Sequence, residues 1–223
     1  MSMSRMEGEY SGRADVQEGA VAPTAGPSQP SYRRHLPRLP SAAYRGQVLI
    51  HWTMAVDRRS GGWLDEHAHL QWREVLLHMC VRFALSVPVY CVMPDHVHLV
   101  TVGLGEASEH RLAVRFLRQH TVGMLRGRRW QHQCHDRVLR GHERRPGAFE
   151  RVAWYILQNP SRAGLVGEGA EYPFSGCILT GYPSLTPFSG DFWEKYWRLL
   201  NREISQMDAL KAKHAAEGGN PDE

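Results

Sequence analysis

Val87-Pro88-Val89-Tyr90-Cys91-Val92-Met93-Pro94-Asp95-His96-Val97-His98-Leu99-Val100-Thr101-Val102 is the stretch on which the fold turns. Two runs rich in apolar and β-branched residues flank Pro94-Asp95, a pair with turn chemistry. The spacing predicts strands over 87–93 and 96–102 joined as a hairpin. Side chains alternate across a strand, which puts His96 and His98 on one face and Val97 and Leu99 on the other. Two readings of the histidines stand on this pattern alone: half-exposed strand residues with no ligand, or two imidazoles able to bind one metal ion together. A cupin would want a glycine six residues before its first histidine, where this chain has Tyr90. A metal-dependent amidohydrolase barrel needs a longer chain.

Outward from the hairpin, Gln47 to Met54 is β-branched and apolar and predicts a further strand that ends at Asp57 and Gly61-Gly62. Asp65 to about Leu85 carries Leu70, Val75, Leu76, Met79 and Phe83 at helical spacing. A second helix is expected over Glu109 to Arg126 with Leu112, Phe116 and Leu117 inward, and a fourth strand over Trp130 to Leu139. A third helix starts on Pro146 and stops at Asn159, before Pro160. The order β-α-β-β-α-β-α implies an α+β fold: a ferredoxin-like antiparallel sheet with helices packed on one face. With those helices over Val97 and Leu99, the two imidazoles lie on the open side.

A chain of 223 residues with 42% hydrophobic and 22% charged residues is ordinary for a soluble globular protein. No apolar run approaches the ~18 residues of a membrane span, and the N-terminus lacks the apolar stretch of a secretory signal. Cys80, Cys91, Cys134 and Cys177 form no C-x-x-C pair, which argues against a cysteine-only zinc site and for reduced, buried thiols in the cytoplasm. Residues 1–30 are poor in large apolar side chains and are expected to be a disordered leader. Residues 31–180 read as one domain opening with a basic arm that contains Arg33 and Arg34, and 181–223 as a C-terminal helical extension and tail.

Charge is unevenly spread. The net charge is +4, yet eleven arginines between Arg111 and Arg151 face only Asp136, Glu143 and Glu150, a local +8. A GC-rich coding sequence explains an excess of arginine over lysine but not this clustering. Arginine's planar fork suits phosphate, so a polyanion is the first partner suspected. Arg111, Arg115 and Arg118 fall at i, i+4, i+7 on one helix face, either a solvated surface or a contact for a nucleic-acid backbone. Trp130, His132 and His135 either stack on unpaired bases or pack in the fourth strand. On the third helix, Phe149, Val152, Ala153 and Ile156 form the inward stripe. Tyr155 sits on its flank with Asn159 one turn later and Gln158 within reach. By itself such a tyrosine reads most simply as a packing residue.

Taken together, three segments resemble the single-tyrosine HUH transposases, in particular the REP-associated tyrosine transposases. They are Met93-Pro94-Asp95-His96-Val97-His98-Leu99, Asp136-Arg137-Val138-Leu139-Arg140 and the run Trp154-Tyr-Ile-Leu-Gln-Asn-Pro-Ser-Arg-Ala-Gly-Leu-Val166. The similarity spans about Tyr32 to Ile178 and departs at Asp95, where asparagine is common, and at Ser161, where valine is common. The resemblance implies that His96, His98 and Asn159, with Gln158 the competing choice, hold Mg²⁺ or Mn²⁺ against a scissile phosphate. It implies that Tyr155 is the nucleophile, forming a 5′-phosphotyrosine on single-stranded or hairpin DNA. Imidazole is a poor Mg²⁺ ligand, so the site is expected to be weak without DNA. A phenol is almost wholly protonated at pH 7, so a neighbouring cation must favour the phenolate. DNA contacts are expected from Arg33, Arg34, Arg111, Arg115, Arg118, Arg126, Arg128, Arg129, Arg137 and Arg140. The REP-associated branch implies a monomer, whereas other branches act as dimers. The alternative from another class is a DNA-hairpin binding protein that keeps the fold without catalysis.

Overall fold

Alternation of polar and apolar residues through His96-Val97-His98-Leu99 gives the sheet two distinct faces. The computed structural model describes residues 38–217, so the expected leader and the arginines Arg33 and Arg34 lie outside the described residues. Five strands, β1 (Leu49–Ala55), β2 (Leu85–Val92), β3 (His96–Gly103), β4 (His135–Val138) and β5 (Ser175–Ile178), pair antiparallel in the order β4-β1-β3-β2-β5. Helices α1 (Glu66–Arg82), α2 (His110–Thr121), α3 (Pro146–Leu157), α4 (Asn159–Arg162) and α5 (Phe192–Glu217) pack around them. The hairpin turns at Pro94-Asp95 as expected, with Val92 opposite Val97 and the Met93 N–H donating to the His96 carbonyl at 2.8 Å.

One core lies on the Val97 and Leu99 side. It joins Ile50, Trp52 and Met54 of β1 to Trp72, Leu76 and Met79 of α1 and Ala113, Val114 and Leu117 of α2. Leu112, expected inward, is exposed, and so is Leu70. Around α2 the inward stripe is instead completed by the small side chain of Ala113.

The opposite face is not bare. Val89, Cys91, Val100 and Val102 form a second core with Phe149, Ala153 and Ile156 of α3 and with Phe192, Tyr196 and Leu200 of α5. The α+β antiparallel sheet with α1 and α2 on one face is thus joined by α3 and α5 on the other. The signal is present in β3, where Val100 and Val102 follow His96 and His98 on one face while Val97 and Leu99 occupy the other, so the strand becomes buried on two sides. Pro88 sets which β2 residues reach this second core. It has no N–H for the ladder, and the pairing of β2 shifts register between Ser86 and Val89. Val87 consequently faces the first core while Val89 and Cys91 face the second. At the end of β3, a Cβ on Gly103 would stand 2.0 Å from the Gly46 carbonyl oxygen, so only glycine permits this approach.

A buried polar chain ties the layers. Trp52 Nε1–H donates to Thr101 Oγ1 (3.0 Å), the Thr101 hydroxyl donates to His110 Nδ1 (2.8 Å), and His110 Nε2–H donates to the Gly46 carbonyl (3.2 Å). Every member is satisfied, and the carbonyl at one end dictates a neutral tautomer for His110. Burial lowers the His110 pKa from its ordinary value of 6.5 to about 4. An unfolded chain therefore binds a proton that the folded chain refuses between those values, and stability must fall as pH drops through that window. Denaturant titrations at pH 7.5, 6, 5 and 4 are expected to show a progressive loss, on the order of 2–3 kcal/mol from this residue alone.

Candidate active site

The register of β1 against β3 assembles the site. Thr53 lies opposite His98, and His51 lies opposite Val100, so all three polar side chains share the face of His96. The two nitrogens of each imidazole are then distinguished by their neighbours. His98 Nδ1 lies 3.1 Å from Thr53 Oγ1 and 3.2 Å from His51 Nε2. His96 Nδ1 lies 2.6 Å from Asp95 Oδ1, and Arg59 Nη1 donates to the other carboxylate oxygen at 3.3 Å. With both Nδ1 atoms engaged, the two Nε2 atoms oppose each other at 3.1 Å. That is close to the span of two nitrogens each about 2.1 Å from one ion and at right angles about it.

Burial, reinforced by His51, His96 and Arg59, pushes the His98 pKa down to about 3, and burial with Arg137 and His135 pushes His51 down to about 4. Both rings are neutral at pH 7, which leaves ring lone pairs for a metal. Burial pushes the Asp95 carboxyl up, but its hydrogen bond and charge interaction with His96, and the Arg59 guanidinium, hold it below the usual range on balance. Among the described residues no group of three or more His, Cys, Asp or Glu side chains forms a metal cage. The amide oxygens of Asn159 and Gln158 are the third ligands that the sequence offers.

Tyr155 projects from α3, the helix whose buried stripe packs on this same sheet face. It is half exposed, and its hydroxyl has no hydrogen-bond partner among the described residues. The structure therefore brings the two imidazoles together but does not bring the phenol into hydrogen-bond contact with them. Asn159 does not continue α3. The helix breaks at Gln158, and Asn159 opens the single turn of α4. Pro160 cannot donate to the Ile156 carbonyl, and Asn159 Nδ2 does so instead at 3.0 Å, reaching the Tyr155 carbonyl as well at 3.1 Å. Its amide nitrogen is thereby occupied, leaving the oxygen as the available atom. Gln158 Oε1 already accepts from Arg162 at 3.2 Å.

Arg162 is a residue that sequence reasoning passed over. Its guanidinium stands 4.5 Å from the centre of the Tyr155 ring, a cation–π arrangement that orients the ring and brings positive charge to it. The i, i+7 spacing across the Asn-Pro break carried the signal, but only if the helix resumes after the proline. Arg162 lies outside the arginine-rich segment from Arg111 to Arg151.

The clustered arginines do not form one patch. Arg126 pairs with Asp65, Arg129 with Asp57 at 3.5 Å, and Arg128 lies against Gly62, all near the His96 end of the sheet. Arg137 pairs with Glu143. Arg118 spends its guanidinium on the carbonyls of Gln131 and His132 and so fixes the loop into β4. Trp130 is buried against Trp63 and Trp72 and donates to Thr121, a packing role. Cys134 turns into the first core while His135 lies on the imidazole face of the sheet. All four cysteines are buried and unpaired. Among the described residues no helix is long and apolar enough to cross a membrane.

No family model matches this chain, and no curated protein matches it. Among solved structures it is similar to a REP-associated tyrosine transposase bound to a REP hairpin, at 19% identity, with 66% of this chain and 82% of that chain covered and a TM-score of 0.50. At that identity the likeness is one of fold, and the antiparallel sheet with its helices is the shared element.

Arg58 and Arg59 are both left-handed (φ 56° and 51°), the conformation that presents Arg59 to Asp95. Such backbone is strained for a non-glycine residue. Arg58→Gly is expected to raise the unfolding free energy by about 1 kcal/mol and Arg58→Val to lower it by a similar amount in urea titration.

Proposed function

We propose that the chain is a metal-dependent DNA strand transferase acting through Tyr155. The observation that carries this reading is the 3.1 Å apposition of His96 Nε2 and His98 Nε2, each with its Nδ1 engaged. It occurs on the sheet face over which α3 displays an exposed tyrosine. The donor set fits a divalent ion. His96 and His98 would hold it through Nε2 and Asn159 through its free amide oxygen, with Mg²⁺ or Mn²⁺ as the ion and Gln158 disfavoured because Arg162 occupies its oxygen. Bound there, the ion would act as a Lewis acid on the scissile phosphate.

The remaining roles belong to the chain. The Tyr155 oxygen attacks phosphorus and forms the tyrosyl–phosphate bond as the P–O3′ bond breaks. The phenol proton is lost and the released 3′ oxygen gains one, giving a 5′-phosphotyrosine and a free 3′-hydroxyl. The bond energy is conserved in the adduct, so rejoining needs no nucleotide cofactor. Arg162 holds the ring and supports negative charge on its oxygen. Asp95 fixes the His96 tautomer and increases the basicity of Nε2, as carboxylates beside ligating histidines do. Thr53 and His51 do the same for the orientation of His98. A REP hairpin is what the similar transposase binds, and hairpin-flanked single-stranded DNA is the substrate proposed for this chain.

Two measurements test this. A labelled hairpin with a single-stranded flank, incubated with Mn²⁺, is expected to give a denaturant-resistant adduct with the parent and none with Tyr155→Phe, while both bind the DNA within about twofold of each other. An adduct with the Phe variant would remove Tyr155 as nucleophile. A parent that shifts the hairpin and never cuts it leaves the binding-only alternative standing. Calorimetric titration with Mn²⁺ is expected to show Asp95→Asn binding about 10- to 100-fold more weakly than the parent, the range for an outer partner of a ligating histidine. His98→Ala should abolish the heat.

A further inference from the structure

Helix α1 is apolar on two opposite sides. Ala68, Trp72, Leu76 and Met79 are buried in the first core, as one face of a helix on a sheet must be. Leu70, Leu77 and Val81 stand on the other side, 66%, 41% and 63% exposed, with exposed Glu74 among them. Steps of four, three and four residues from Leu70 to Glu74, Leu77 and Val81 make one straight stripe along the helix. Its neighbour α2 exposes Arg111, Arg115 and Gln119 instead, the ordinary solvent side of an amphipathic helix. The apolar stripe also widens sideways. Leu77 lines a cavity of about 420 Å³ with Arg73, Glu74, Ile178, Leu179 and Tyr182, between α1 and the end of β5.

The one acid in the stripe discriminates between ways of covering it. Glu74 and His78 are exposed, and the side chain of neither has an ion-pair or hydrogen-bond partner among the described residues. If a second copy of the helix lay parallel, each position would meet itself and Glu74 would face Glu74 with no cation between them. If it lay antiparallel, the stripe would meet itself in reverse order. Leu70 then packs against the partner's Val81 at both ends. Glu74 comes opposite the partner's Leu77, which brings its carboxylate level with an N–H of the partner's His78.

We infer that the outer face of α1 is the interface of a homodimer, in which two copies of this chain pair α1 against α1, antiparallel about a two-fold axis. Such an interface requires one surface complementary to itself, and the order apolar, acidic, apolar, apolar with a histidine after the third position meets that requirement. Since α1 lies on the Val97 and Leu99 side of the sheet, the two histidine faces point away from the interface. Three apolar side chains per copy make a short seam, so association is reversible rather than permanent. The inference does not depend on the strand-transferase reading, and it differs from the monomer that the resemblance implies.

Sedimentation equilibrium of the full chain from about 5 to 500 µM covers association of this strength. The parent is expected to pass from monomer to dimer mass across that range. Leu70→Glu and Val81→Lys, both at exposed positions, are each expected to weaken association about tenfold or more, because each sets a charge against an apolar side chain in both end layers. Mixed in equal amounts, the two variants are expected to associate again. The introduced charges then meet in one layer while the other keeps Leu70 against Val81. The uncharged double variant Leu70→Gln/Val81→Gln is expected to be monomeric with a parent-like urea midpoint, which keeps the measurement decisive if a charged variant folds poorly. A parent that stays monomeric to the top of the range overturns the inference, whatever else covers the stripe. Dimerisation that survives the double variant overturns it too. So does a mixture of folded single variants that fails to associate, since only the antiparallel register brings position 70 to position 81.

Discussion

The pairing of β1 with β3 is the constraint from which the site follows. Thr53 and His51 reach His98 only because Thr53 stands opposite it. A slip of one residue would turn both away and drive Trp52 out of the first core, because side chains change face at every residue. Trp52 locks the register from the other side through its hydrogen bond to Thr101, itself bound to buried His110. Packing on one face therefore sets the geometry of the other. That coupling fixes the orientation of the imidazoles.

The second core limits where chemistry can occur. α3 and α5 cover the Val100 and Val102 half of the face, and the polar group at His51, Thr53, His96 and His98 is confined to the remainder. Partial burial there keeps His51 and His98 neutral and strengthens each hydrogen bond that orients them. The same layer carries Tyr155 outward on the flank of its helix, where the Asn159-Pro160 break and Arg162 shape its surroundings. A strained turn at Arg58 and Arg59 completes the site by bringing a guanidinium to Asp95.

Arginine serves two ends in this molecule. Some of the clustered residues stabilise loops, as Arg118 does by capping two carbonyls and Arg126 by pairing with Asp65. Exposed pairs of that second kind contribute little each, but they hold the segments that frame the sheet edge. Arg111 and Arg115 are different, because their charge meets no acid among the described residues. A single count of charge along the chain merges these roles.

Much of the fold was legible because it rests on local periodicity. The alternation through His96-Val97-His98-Leu99 determined that the two imidazoles share a face, and the stripe Phe149, Ala153, Ile156 determined that Tyr155 would sit at its flank. β5 and the covering role of α5 were not legible, since a four-residue strand and a helix docking from far along the chain carry no short-range signature. Nor was the resumption of helix past Pro160 that brings Arg162 to Tyr155, or the division of the arginines between two faces. The amino-acid order by itself determined which side chains point together within one element, because backbone geometry imposes a period of two or of 3.6. Which of those faces meet, and which charges are neutralised when they do, was decided only by tertiary structure, because burial and ion pairing depend on distances between segments that no local pattern encodes.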